Sequence, residues 1–390
     1  MTAATSSYRV TSIDILRGLI MIIMALDHTR DFFHSTAMTA DPLNPATTTP
    51  VLFFTRWITH FCAPGFVFLS GLSAWLSSQK KTKAAASMFL LKRGAWLVIV
   101  EVTLVTFGIT FNPFFNLIIL QVIWVIGWSM IILGLLMRIS YKAILLIGIF
   151  LVFGHNVLDY IKLPGGQVAG YFWAALFTAR GTIVALDSSH FIAVFYAILP
   201  WTGIMLLGYS AGIWFQKGFS PGKRKRLLLL AGIFAIALFI GLRLIRGYGD
   251  PGAWDGKTLF SFLNTSKYPP SLEFACMTLG PSLILLSLFE NVRTRWSEVV
   301  SIYGRVPFFY YMLHFYLLHI LLVLLFFATN HSMAQISDPN SPFMFRPVAF
   351  GFNLAIVYLI WLAVVAALYF PCRWFNKVKM ERSEWWLKYL

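Results

Sequence analysis

Charge is scarce in this chain. Asp, Glu, Lys and Arg make up 12% of its 390 residues, about half the share found in an ordinary soluble domain, and only 15 of them are acidic. That composition excludes a soluble globular domain. Cysteine is also scarce: Cys62, Cys276 and Cys372 are too scattered for a disulfide framework or a cysteine-based metal motif. There is no HxxxH or HxH pair to seat a metal on one helix face, so no metal is expected. The first ten residues, MTAATSSYRV, lack the basic-then-apolar layout and cleavage site of a signal peptide, and the first span is expected to be retained. Nor is there a strong internal repeat, which removes the simplest sign of a transporter built from two matching halves.

Apolar surface is what the chain has in excess: 58% hydrophobic residues and a mean hydropathy of +0.74. Runs near the roughly 20 residues needed to cross a bilayer core recur ten times, near 12–33, 52–78, 90–112, 114–137, 142–160, 190–215, 227–246, 271–289, 306–329 and 347–371. The expected fold is all-α, a polytopic integral membrane protein of about ten transmembrane helices forming one domain over 1–371, with a basic interfacial tail at 372–390. The net charge of +16 gathers mainly between alternate spans. That is the positive-inside pattern and sets both termini in the cytoplasm. It argues for membrane lipid rather than nucleic acid as partner, in the inner membrane; a homodimer is left open.

The first span departs from a plain lipid anchor. TSIDILRGLIMIIMALDHTRDFFH carries Asp14, Arg17, Asp27, His28, Arg30, Asp31 and His34. At about 100° per residue, Asp14, Arg17, His28 and Asp31 fall near one stripe, flanked by Asp27, Arg30 and His34. The second span brings Arg56 and His60 one turn apart, followed by Pro64 and several small residues that permit close helix approach. Counting about 1.5 Å per residue, His28 lies about 8 Å and His60 about 12 Å below the outer ends of their spans. The matched depths make His28, His60, His34, Asp27, Asp31 and Arg56 one candidate catalytic cluster. Ionisable groups are costly at such depth and mark function. An imidazole is the usual proton carrier, and a neighbouring carboxylate can orient and polarise it.

Elsewhere Glu101 lies mid-way along the third span, and Tyr311 and His314 share a face of the ninth. The stretch 163–189 reads as an outer loop with a re-entrant or surface helix. Tyr248–Pro270, with Asp250, Trp254, Asp255 and Tyr268, reads as an outer mouth or lid.

Four sequence features carry a family resemblance. SIDILRG followed by an apolar helix and Asp27-His28, and then FCAPGFVFLSG in the second span, resemble the catalytic-domain family of heparan-alpha-glucosaminide N-acetyltransferase and its bacterial relatives. The Arg17-x10-His28 spacing and PFFYYMLHFYLLH are similar to features of the wider group of integral-membrane acyltransferases. The resemblance is strongest over residues 11–78, weaker at 305–320 and carried by hydropathy between them. It implies transfer of an acyl group from cytoplasmic acetyl-CoA or another acyl-CoA to a sugar or glycolipid acceptor at the outer face, with His28, oriented by Asp27 or Asp31, as general base or first acyl carrier and His60 as the second candidate. Arg17, Lys92, Arg93 and Arg305 are then the candidate holders of the donor's phosphates, with Tyr311 and His314 further along the donor path. In the family's pattern the catalytic His belongs to the first outer loop, nearer His34 than His28, and an Asp stands where this chain has His60. Two readings from other classes stand beside this one: a proton-coupled transporter using the buried carboxylates, and a non-catalytic membrane subunit of an envelope-assembly complex.

Overall fold

The computed structural model describes residues 10–161, 168–179 and 181–389. Arg9, Lys162 and Arg180, and the first part of the expected outer loop at 163–167, lie outside the described residues. The helices in chain order are α1 Thr11–Phe33, α2 Pro50–Thr59, α3 Cys62–Ser78, α4 Lys83–Val100, α5 Thr106–Thr110, α6 Val122–Leu136, α7 Tyr141–Gly154, α8 Val168–Trp173, α9 Ile198–Ala211, α10 Pro221–Ile245, α11 Leu259–Leu263, α12 Leu272–Leu288, α13 Arg295–Arg305, α14 Pro307–Ala328 and α15 Leu354–Glu381. Side-chain caps start many of them. Thr49, Thr82, Ser140, Ser220, Ser271, Thr294 and Asn353 each accept a bond from a backbone N–H in the first turn, satisfying a donor that the helix itself cannot.

Seven helical stretches among the described residues are long and apolar enough to cross a membrane: Pro50–Ser78, Tyr141–Tyr160, Ile198–Phe215, Pro221–Ile245, Leu272–Asn291, Pro307–Ala328 and Leu354–Glu381. The chain is a mostly helical, multi-pass membrane protein. Of the ten expected spans, the first, third and fourth are not among these seven. α1 is long enough but carries Asp14, Arg17 and Asp27; α4 passes into a π turn at Glu101–Val105 before α5; α6 has only 15 residues. The second expected span is interrupted at His60 and Phe61, because Pro64 has no N–H to offer the carbonyl of His60.

Two span boundaries move for another reason. The apolar runs expected to open the fourth and sixth spans fold as strands β1 Leu117–Leu120 and β3 Phe191–Val194, joined by β2 Thr182–Ala185 in the order β1-β3-β2. β1 pairs parallel to β3, Ile119 opposite Ala193, and β2 pairs antiparallel, Ile183 opposite Ala193. The tenth span also starts later, at Leu354, and continues through Glu381, so the first ten residues of the expected tail extend the helix.

α1 occupies the middle of the bundle, packed against α2, α3, α12, α13, α14 and α15. That position explains how a helix with so many charges is tolerated: its polar face meets protein rather than lipid. Close crossings hold the bundle together. A side chain at Gly71 would run into the carbonyl of Met205, and one at Gly208 into the carbonyl of Phe68, so α3 and α9 touch backbone to backbone. Gly208→Leu is expected to lower stability by about 1–3 kcal/mol through overpacking, measured as a fall in the thermal midpoint in detergent micelles.

Candidate functional site

Two hollows approach each other inside the bundle. The first, about 520 Å³, opens at the end where Arg17, Arg93, Arg305, Lys379 and Arg382 converge. Arg17 is fixed there by donating to the Gly304 carbonyl at 3.0 Å and the Ser73 hydroxyl at 2.7 Å. Asp14 lies 3.7 Å from both Arg17 and Arg305. A slot of about 90 Å³ continues inward from this basic mouth; Arg17, Ser70 and Arg93 line both spaces. Beyond them the slot is apolar, walled by Met21, Leu97 and Ile126, and it reaches Tyr311.

The second hollow, about 390 Å³, faces the opposite end of the bundle. The small sheet forms one wall. Successive strand residues point to opposite faces, so Leu117, Ile119, Ala193 and Ile183 line the hollow while Leu120 and Val194 pack behind it with Ala179 and Ala197. Across from the sheet stand the charged groups Asp27, His28, Arg30, Asp31, Arg56 and Lys267.

One layer of rings separates the hollows. Nδ1 of His28 is 2.6 Å from Nε2 of His314. The His28 ring stacks on Phe315 at 4.4 Å and meets Tyr311 edge-on at 6.4 Å between centroids. His314 is fully buried on α14, whereas His28 is partly open to the second hollow.

The carboxylates serve different partners from those expected. Asp27 accepts from Arg30 at 3.1 Å and from Arg56 at 2.5 Å, and Arg30 also reaches Asp31 at 2.6 Å. His28 therefore finds an imidazole where Asp27 or Asp31 was expected. Consecutive helix residues point about 100° apart, which turns Asp27 toward α2 and His28 toward α14.

The other expected site residues divide. His34 ends α1, its Nδ1 3.0 Å from the Thr36 hydroxyl and its carbonyl accepting from Arg346 at 2.7 Å. His60 is buried at the α2–α3 break with its ring edge-on to Phe274 at 5.4 Å. Neither is among the residues that line the two hollows. Lys92 is exposed and faces away from the basic mouth, while Arg93, one step round the helix, lines it. Among the described residues no group of three His, Cys, Asp or Glu side chains is disposed to hold a metal ion.

Three polar residues lining the outer hollow, Gln121, Tyr196 and Lys267, were not singled out from the sequence. Arg30, named as flanking the polar stripe of the first span, was left out of the candidate cluster although it lies one helical turn beyond Asp27 and lines the hollow. Gln121 follows β1, and its backbone N–H donates to buried Glu101 at 2.5 Å. Lys267 had no local signal. Its ammonium sits 5.0 Å above the Tyr268 ring and 5.7 Å above that of Tyr196.

Lys267 and Tyr268 belong to the segment read as a mouth or lid, and one buried side chain ties that segment down. Arg243, 2% exposed, donates to the carbonyls of Gly252, Ser261, Phe262 and Asn264 and to Glu273 at 2.9 Å. Asp250 accepts from Ser266 and Ser271, and Trp254 packs on Arg246 and Phe262. Of the four residues first noted there, Tyr268 is the one that lines the hollow.

The chain is a multi-pass helical membrane protein with a polar chamber at its centre and an apolar slot leading toward it from a basic mouth. The family model described as heparan-alpha-glucosaminide N-acetyltransferase, catalytic, matches residues 9–243, and the chain belongs to that family, whose type is a membrane acetyltransferase. No curated protein matches it significantly. The matched residues include α1 to α9 and nearly all of α10; Lys267, Arg305, Tyr311 and His314 lie beyond them.

Proposed function

We propose that the protein moves an acetyl group, or another short acyl group, from cytoplasmic acyl-CoA to a sugar or glycolipid at the outer face of the inner membrane, with His28 as general base. The observation that carries this reading is the thinness of the partition. Tyr311 lines the slot, His28 lines the outer hollow, and their ring centroids are 6.4 Å apart. The basic mouth suits a polyanionic nucleotide, since guanidinium groups bind phosphate as charge-assisted pairs. The narrow apolar slot suits the thin arm that ends in the thioester.

His28 and His314 are within hydrogen-bonding distance, and a bond between two neutral imidazoles needs one N–H and one lone pair. When His28 donates from Nδ1 to His314, Nε2 of His28 keeps its lone pair. An acceptor hydroxyl or amine attacks the thioester carbonyl as this nitrogen takes its proton. The tetrahedral oxyanion collapses, the C–S bond breaks, and the proton passes from His28 to the thiolate. The products are the acylated acceptor and the free thiol of CoA.

Transport coupled to protons has less support. It needs Asp27, Asp31, Glu101 and the histidines as a relay, and within that set Asp27 and Asp31 are held by Arg30 and Arg56 while Glu101 accepts from the backbone N–H of Gln121.

The test is transfer of labelled acetyl from acetyl-CoA by purified protein in nanodiscs, with acetyl-CoA hydrolysis followed in parallel. Activity present in the unaltered protein and lost in His28→Ala supports the reading; full activity in His28→Ala, or pH-driven uptake into liposomes without acyl-CoA, overturns it. Arg93→Gln is expected to raise KM for acetyl-CoA about tenfold with little change in kcat, in initial-rate measurements. That result would mark Arg93 as a binding cation rather than a group acting on the transition state.

A further inference from the structure

The outer hollow carries an imbalance of charge that the transfer reaction does not require. Among the described residues lining it, three permanent cations, Arg30, Arg56 and Lys267, face two carboxylates, Asp27 and Asp31. The carboxylates are spoken for: Arg30 bridges both, and Arg56 takes the remaining oxygen of Asp27. Lys267 has no carboxylate within ion-pair distance among the described residues. It rests instead over the faces of Tyr196 and Tyr268. Cation–π contact holds an ammonium in place without neutralising it.

Resting on the acyltransfer reading, we infer that the acceptor carries an anionic group, a carboxylate or phosphate on a sugar, which docks on Lys267. A low-dielectric pocket with one uncompensated positive charge concentrates anions and repels cations. A protonated amino sugar therefore meets repulsion in this hollow. A neutral hydroxyl on an anionic sugar does not, and the group presented to His28 is such a hydroxyl. The other ionisable or polar groups that face the hollow are His28, Tyr196, Tyr268 and Gln121, none of which supplies a third negative charge while the phenols are protonated.

The inference is tested by titrating glucuronate, glucose 6-phosphate, glucose and glucosamine into the full-length protein in nanodiscs and reading binding by calorimetry, without acyl-CoA. Glucuronate or glucose 6-phosphate is expected to bind at least tenfold more tightly than glucose and glucosamine. Lys267→Gln is expected to erase that difference, and Lys267→Arg to keep most of it. Preference for only one of the two anions identifies the group as carboxylate or phosphate. Equal binding of all four sugars, a preference for glucosamine, or an unchanged preference in Lys267→Gln overturns the inference. Because binding is read without turnover, failure of the catalytic reading shows separately, as loss of acetyl-CoA hydrolysis and transfer in the unaltered protein.

Discussion

His28→Ala is expected to lower kcat for acetyl transfer about 10³-fold, within the 10²–10⁴ that a positioned general base contributes, while KM for acetyl-CoA stays nearly constant. The second half of that expectation follows from distance along the path. In the proposed reaction the donor's charged portion would sit at the basic mouth, which Arg17, Arg93 and Arg305 line, and His28 stands beyond the far end of the slot. His28→Gln keeps a polar side chain of similar reach but cannot accept the proton, so it should be as inactive as the alanine variant. His314→Ala should cost less, about 10- to 100-fold, because it removes the group that orients the base and not the base itself. The double variant should be no worse than His28→Ala, since residues acting as one unit are not additive. Initial rates with labelled acetyl-CoA over a pH series check all four. An additive double variant, or a pH profile that His314→Ala leaves unmoved, would separate His314 from the base.

Arg243→Leu is expected to have the largest effect on the fold itself, a loss of about 3–5 kcal/mol, the range for removing one partner of a buried ion pair. The cause is not the salt bridge alone. Truncation leaves Glu273 without its cation and strips hydrogen bonds from four carbonyls of the segment that carries Lys267 and Tyr268. The measurable results are a lower thermal midpoint and faster proteolysis between Tyr248 and Pro270. Arg243→Leu combined with Glu273→Leu should recover part of the midpoint, because no charge is then left uncompensated. It should not restore resistance to proteolysis, since the carbonyls still lack their donor.

Hydropathy was enough to find the helical bundle, because a lipid-facing helix must be apolar along its whole length. It misread the short apolar runs around Leu117–Leu120 and Phe191–Val194. A run of that length buried in protein looks the same whether it becomes a strand or the start of a helix. The polar centre was legible in α1, whose charges stand out against its length. What periodicity could not give was azimuth. Equal depth suggested that His28 and His60 meet, but His60 sits at a helix break with its ring on Phe274, whereas the partner of His28 comes from α14. Arg30 stood on the flank of the polar stripe, and its spacing to Asp27 could have placed it in the cluster. Lys267 could not, because its place over Tyr196 and Tyr268 depends on how the segment after α10 folds back, and Arg243 on α10 holds that segment through carbonyls that every residue possesses.

The single layer formed by His28, Tyr311, His314 and Phe315 bears on how such a protein can coexist with an energised membrane. A carrier must open alternately to either side, and each opening risks leaking ions. In the proposed reaction the nucleotide and the sugar would each keep to their own side, and only the thioester carbonyl and the attacking acceptor group would meet, in the gap beside His28 and Tyr311. On that arrangement the rate of acetylation should not depend on large rocking motions, and the electrochemical gradient across the bilayer would stay intact throughout turnover.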